Sequence, residues 1–360
     1  MKPSMIDYIL RQPQILQQVF SNRETFLQPV QKLFADHSIR RIYFFGSGTS
    51  YHVSCLGAVY FSRYLNIETS SHQPVLFCDT ETVNPSGVYQ PGEVLAVGVS
   101  QSGTSTSTIE ALKYAKQQGC LTMCFSQDET SEAVRISDVW LPMLCEKEMV
   151  PPETQGYTAA LLTLYVLAYT LAGKAADCDA ATEAFLKTDL PVITERSRYW
   201  VQEHLEEFAN APKLSIYGSA LNSVTAMEGA LKIEETLKRV VGSYEAEEFA
   251  HLIDLSFLED DYCIALVHPS AHPQRNIEII NLARSITNHV FVISPHLNAS
   301  VNDLELGIDF SEELSPISFV IPLQLLAAMT AEKLGIDTSV FPHPDVQSIA
   351  HSADYFLYNS

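Results

Sequence analysis

The chain has 360 residues, 46% of them apolar, and 43 acidic against 22 basic side chains give it a net charge of -21. Single cores seldom grow past about 250–300 residues, so two domains are expected. The acidic balance repels nucleic acid and anionic lipid at long range, which excludes both as expected partners. With no signal-peptide pattern at the start and no run of about 18 apolar residues, the sequence reads as cytosolic. The seven cysteines, Cys55, Cys78, Cys120, Cys124, Cys145, Cys178 and Cys263, form no CxxC pair. Buried free thiols are expected, with no metal site, redox centre or other cofactor.

Residues 6–20 (IDYILRQPQILQQVF) have the pattern of an amphipathic helical region. The apolar run RIYFFG at 41–46 reads as a strand, followed by SGTSYH and a helix through Tyr64. A second strand, VLAVGV at 94–99, runs into SQSGTS and a helix with Ile109, Leu112 and Ala115 at helical spacing, closed by Gly119. LTMCFS follows as a third strand. Alternating strands and helices imply a doubly wound α/β fold with a parallel sheet and ligands at the strand C-termini. The pattern then recurs about 170 residues later. KLSIYGSALNS at 213–223 echoes RRIYFFGSGTS, and CIALVHPSAHPQRNIEIINLARS echoes the unit that begins VLAVGVSQSGTS. The Ala- and Asp-rich stretch from Lys174 to Leu190 separates the copies, which places an N-terminal domain at 1–190 and a C-terminal domain at 191–360.

The copies differ where a ligand would sit. In the first, Ser100, Gln101, Ser102, Gly103, Thr104 and Ser105 lie between a strand and a helix start, where hydroxyls and backbone N–H groups converge. Such a turn suits a phosphate dianion, although a Ser/Thr turn with an N-cap has the same composition. Gly48, Thr49 and Ser50 follow the preceding strand in the same way. The second copy has His268, Pro269 and Ala271 at the corresponding places, and Pro269 has no N–H to donate. One phosphate site, in the first half, is expected.

Between Glu228 and His251 the chain reads EGALKIEETLKRVVGSYEAEEFAH. Steps of four and seven bring Glu228, Lys232 and Glu235 onto one helical face, either as an acid/base cluster or as a solvated salt-bridged surface. The pairs Glu234 with Lys238 and Glu235 with Arg239 share the helical spacing, and Arg239 would compete for Glu235. His251 is a second titratable group. His268 and His272 are spaced by four but have no evident third ligand, so no metal is expected there.

GSGTSYH, SQSGTSTSTIEAL, SEAVRISDVWLPM and the 228–251 segment, in that order, resemble the tandem sugar isomerase (SIS) domains in the isomerase half of glucosamine-6-phosphate synthase. The likeness spans roughly residues 25–350. It implies two tandem SIS domains, with Thr49, Ser50, Ser100, Gln101, Ser102 and Ser105 holding a sugar phosphate. Glu235 corresponds to the glutamate that moves a proton between sugar carbons 1 and 2, with Lys232 beside it. His251 corresponds to a histidine supplied by the neighbouring subunit, so the resemblance implies a homodimer with composite sites, or a higher oligomer. Glu148 falls on a family glutamate, and His52 on a histidine beside the phosphate loop read here as structural.

Departures from that family narrow the expectation. No glutaminase segment with a nucleophilic cysteine precedes the first strand. The tail FPHPDVQSIAHSADYFLYNS has no lysine after Lys333, so no protein-bound imine is expected there. The family's STKAFT becomes ETQGYT, which makes Glu153 a candidate substrate contact together with Glu148 and His343; His351 reads as part of a solvated tail. Keeping Glu235 and His251 without the lysine resembles the deglycases that split 6-phosphorylated sugar–amino acid conjugates. An aldose–ketose isomerase or a deaminase uses the same proton shift and stays open, as does a non-catalytic phosphosugar-binding regulator, although no helix-turn-helix or basic region accompanies the domains.

Overall fold

The structure, a computed structural model, describes residues 3–296 and 300–343. The tail beyond His343, with His351, lies outside the described residues. Compactness divides the chain into two interleaved units. One comprises Gln14–Met149 and Gln155–Glu183, with residues 341–343; the other comprises Val150–Thr154 and Ala184–Val340, together with residues 3–13. Residue 190 begins the helix Leu190–Glu203.

In the first unit, strands β1 (Arg41–Phe45), β2 (Glu68–His72), β3 (Val94–Val99), β4 (Leu121–Ser126) and β5 (Val139–Pro142) form one sheet in the order β2-β1-β3-β4-β5. All its pairings are parallel. The central strands β1 and β3 are buried at every position, as apolar runs covered by helices on both faces should be. Alternation along β1 sends Tyr43 and Phe45 into a cluster with Phe77, Ile109, Leu112 and Ala115. On the opposite face Phe44 meets Phe61 of the helix Thr49–Leu65 edge-on at 5.4 Å.

The second unit repeats this plan. Strands β6 (Leu214–Gly218), β7 (Val241–Glu245), β8 (Tyr262–Leu266), β9 (Val290–Ser294) and β10 (Leu304–Glu305) lie in the order β10-β9-β8-β6-β7, again all parallel. This is the same winding, with β6 in the place of β1. One helical stretch, Glu312–Leu334, is long and apolar enough by length and composition to cross a membrane, although Ser315, Ser318, Gln324 and Thr330 interrupt it and it holds no unbroken run of about 18 apolar residues. Its apolar window is buried throughout, which is how the central helix of a packed unit reads by composition.

The duplication extends to backbone angles. Gly48, ahead of the helix Thr49–Leu65, has φ 56° and ψ -130°, and Ala220, ahead of the helix Leu221–Leu237, has φ 52° and ψ -125°. The second copy thus keeps a glycine conformation with an L-residue in it. Such strain costs about 1–3 kcal/mol, and glycine's greater freedom in the unfolded chain takes back about 0.4–1 kcal/mol. Ala220→Gly is therefore expected to stabilise the protein by about 1 kcal/mol in urea unfolding; an unchanged or lower midpoint would show that the turn is not strained.

Candidate functional site

In an open parallel sheet a crevice forms where neighbouring connections leave in opposite directions, at the carboxyl ends of the strands. In the first unit that point lies between β1 and β3, which pair in register from Arg41 with Val94 to Phe45 with Gly98. The helices Thr49–Leu65 and Thr106–Gln117 start just past these two strand ends, and neither receives a side-chain N-cap. Thr49, Ser50, Ser100, Gln101, Ser102 and Ser105 therefore gather on adjacent turns at one sheet edge. Helix starts there favour an anion through their N–H groups and dipoles.

The second of these turns is firmly tied. Ser100 is buried, donates its N–H to the Phe125 carbonyl at 3.0 Å and accepts from the Gly103 N–H at 3.0 Å. The Gln101 carbonyl accepts from the Gln127 N–H at 2.9 Å and from Ser126 Oγ at 3.1 Å. Ser102 Oγ and Thr104 Oγ1 share a bond of 2.7 Å. Gly103 has φ +67°, and a Cβ there would fall 2.1 Å from Ser131 Oγ, so both conformation and space require glycine.

At the matching edge of the second unit the chain's own side chains occupy one another. Ser219 donates to Asn276 Oδ1 at 2.8 Å, and the buried His268 ring bonds Ser270 Oγ at 2.7 Å and the Phe310 carbonyl at 3.0 Å. His268 and His272 belong to no metal-holding group, and none is found among the described residues.

The acid/base cluster is built on the helix Leu221–Leu237. Lys232 is buried, with its Nζ 2.7 Å from Glu235 Oε2 and 3.7 Å from Glu228 Oε1. Glu228 is wholly buried, whereas the Glu235 side chain is 39% exposed, so one carboxylate of the pair reaches solvent. Burial works against the Lys232 charge, but the Glu235, Glu228 and Glu153 carboxylates outweigh it and hold the ammonium above its ordinary range. Because the shift is upward, the stabilisation persists below the usual lysine pKa and is lost only in strongly alkaline solution. The cluster is thus not the solvated surface that its spacing also allows.

The other candidates distribute as follows. Glu235 pairs with Lys232 and not with Arg239, whose guanidinium donates to the Phe208 carbonyl at 3.5 Å. Glu234 accepts from the Val241 N–H at 2.8 Å, and Lys238 donates to the Glu235 carbonyl, so those two do not pair either. His251 is exposed on the helix Ala246–Ser256 and forms no hydrogen bond or ion pair with Glu235 within the chain. Glu148 is wholly buried, and its Oε1 accepts from the N–H groups of Gln155 (2.8 Å) and Gly156 (3.3 Å), the first residues of the helix Gln155–Leu171. A helix cap, more than an open substrate contact, describes it. His52 is buried beside Tyr51, and His343 is exposed. Glu153 as a neighbour of Lys232 was not legible in the sequence, because nearly 80 residues separate them.

A family profile for the SIS domain matches residues 37–172. Those residues form a SIS domain. The chain is 27% identical over 346 residues to glutamine–fructose-6-phosphate aminotransferase (isomerizing) of Thermococcus kodakarensis, covering 92% of this chain and 56% of that protein. The chain thus spans about half the length of the curated relatives it matches. A Clostridium difficile 630 structure provisionally described as a phosphosugar isomerase superposes with TM-score 0.84 at 24% identity, covering 97% of this chain and 98% of that one. The C-terminal domain of glucosamine-fructose-6-phosphate aminotransferase from Francisella tularensis gives TM-score 0.80 at 21% identity, covering 94% of this chain and 98% of that one. The hydroxyl turns and their two strands fall inside the SIS domain, whereas the Lys232 cluster lies beyond the matched segment.

Removing one member of a buried ion pair leaves the other charge uncompensated. Lys232→Met is accordingly expected to cost about 3–5 kcal/mol in urea unfolding, and adding Glu228→Gln should recover part of it. A loss below about 1 kcal/mol would mean that the cluster is hydrated after all.

Proposed function

We propose that the protein processes a hexose 6-phosphate derivative, with the hydroxyl turns of the SIS domain taking the phosphate and Glu235 acting as the base. The observation that carries this reading is the Glu235 carboxylate, part-exposed but fixed at 2.7 Å by a buried ammonium. A base must be held in place and still reach its substrate. The names of the relatives and of the structurally similar proteins support phosphosugar chemistry.

Within that class we infer a deglycase acting on a 6-phosphorylated ketose–amino acid conjugate. Glu235 takes a proton from carbon 1, next to the carbon 2 carbonyl, and the electron pair moves into an enediol-type intermediate. A proton returned to carbon 2, with His251 of a second copy as acid or shuttle, leaves a carbon 1–nitrogen imine. Water adds to the imine and expels the amine, so one conjugate and one water give a hexose 6-phosphate and an amino acid. No electron carrier is consumed. The departure at Glu153 favours this reading over a plain isomerase: it adds a third carboxylate around the single Lys232 ammonium, a setting that suits a substrate with a protonated amine. The same reading makes the protein a cytosolic homodimer with composite sites.

Incubation with 6-phosphorylated fructosamines and glucosamines, beside fructose 6-phosphate, followed by mass spectrometry separates the alternatives. Free amino acid with hexose 6-phosphate is the expected product pair; interconversion of the plain ketose phosphate would replace the deglycase by an isomerase, and release of ammonia by a deaminase. Glu235→Gln should lower turnover by about 10²–10⁴-fold while phosphosugar binding persists. Binding without turnover in the parent protein would identify a regulator instead.

A further inference from the structure

Two glutamine side chains are wholly buried in the second unit. Gln324 lies in the middle of the buried stretch Glu312–Leu334, between Leu323 and Leu325, and Gln12 belongs to the N-terminal residues of the same unit. Burying an amide costs free energy unless its groups are bonded, and here they are. Gln12 Nε2 donates to Gln324 Oε1 at 2.7 Å and to the Ile9 carbonyl at 3.3 Å, and Gln324 Nε2 donates to the Thr154 carbonyl at 3.2 Å. The direction is fixed: the carbonyl at Thr154 takes a donor, so Gln324 turns its oxygen to Gln12. An apolar pair of similar volume would hold the N-terminal residues to the helix about as well. What it would not do is bind the backbone of Thr154, one residue from Glu153.

We propose that Gln324 is a positioning residue, which with Gln12 behind it fixes the Val150–Thr154 segment so that Glu153 stands beside Lys232 and meets the amine of the bound conjugate. This rests on the deglycase reading and adds to it the device that sets selectivity for a nitrogen-bearing substrate. The segment transmits the constraint because it is stiff. Pro151 and Pro152 have fixed φ, and the Glu153 N–H donates to the Pro151 carbonyl at 2.9 Å. Thr154 is wholly buried whereas Glu153 is half-buried, so the segment is anchored at one residue and open at the next. The same turn of the helix registers the rest of the cluster. Leu323 packs into the space left by Gly229, where an added Cβ would fall 2.2 Å from Leu323 Cδ1, and Gly229 follows Glu228. One helix therefore places both Glu153 and the helix that carries Glu228, Lys232 and Glu235, which holds the carboxylates in position before substrate arrives.

Kinetics with a 6-phosphorylated fructosamine, beside calorimetric binding of fructose 6-phosphate, test this in the full chain. Gln324→Met is expected to lower kcat/KM for the conjugate about 10–100-fold, as displacement of a substrate contact does. The affinity for fructose 6-phosphate, which has no amine, should stay at the parent value. Glu153→Ser should show the same selective loss, and adding Gln324→Met to it should lower kcat/KM no further. Should Gln324→Met not fold, Gln12→Met, which removes the clamp and keeps the bond to Thr154, should give a smaller loss with the same selectivity. An equal loss of fructose 6-phosphate affinity, a further loss in the Glu153→Ser background, or parent-like turnover in Glu153→Ser or in whichever glutamine variant folds overturns the positioning role and leaves the deglycase reading intact. A parent protein that releases no amino acid from the conjugate overturns that reading, and this inference with it.

Discussion

Strand order is the constraint on which the rest depends. In each sheet the first strand lies between the second and the third, so the chain leaves adjacent strands toward opposite faces and cannot cover their carboxyl ends. A gap at that edge follows from right-handed crossovers alone, before any side chain is specified. What the sequence decides is how the gap is filled. In the SIS domain it is bordered by short hydroxyl side chains, glycine and two helix starts without side-chain caps. In the second unit it is closed by Ser219, Asn276 and a His268 that bonds through both ring nitrogens.

The two copies therefore share a skeleton and have divided its uses. Ala220 shows the common origin of the skeleton: the glycine-type angles survive where the glycine does not, as expected if the turn is dictated by how the helix must leave the strand. The second unit has instead placed a charge network on the helix that follows that strand. Its buried polar atoms are an expensive way to hold a helix, since well-packed apolar residues of similar volume usually do so at least as well. Such a cost is most easily understood where the charges act on something outside the fold.

Much of this was readable from residues alone. The strands 41–46, 94–99 and 121–126 were legible because central parallel strands are continuous apolar runs, and the duplicated turns because hydroxyl and glycine residues recur after them. The edge strands β2 (ETSSH) and β7 (VGSYE) were not, since partial exposure at a sheet edge removes the apolar signal that marks a buried strand. The helix Glu312–Leu334 was missed as a long apolar element because Pro322 and scattered polar residues interrupt the run, although packing buries them too. At the site, spacing on one helix gave Glu228, Lys232 and Glu235 but could not choose between an exposed and a buried face. Contacts made by distant segments, such as Glu153 near Lys232 or Gln324 on the Thr154 carbonyl, have no local signature.

The burial pattern within the triad bears on what the charges do. Were the cluster purely structural, the most favourable arrangement would bury a neutralised pair and leave the surplus carboxylate in water, far from the ammonium. Here the ammonium and Glu228 are buried, and the third member, Glu235, is the one bonded most closely and yet open to solvent. Lys232 thus spends its strongest contact on a carboxylate that water could have solvated unaided. An ordered carboxylate gains little stability from such a bond, because a part-exposed pair is screened and its side chain loses rotamer freedom. The same order is useful to chemistry, where a base held in one rotamer meets its proton without first having to be found. The arrangement is thus better explained by the geometry it imposes on Glu235 than by the stability it adds.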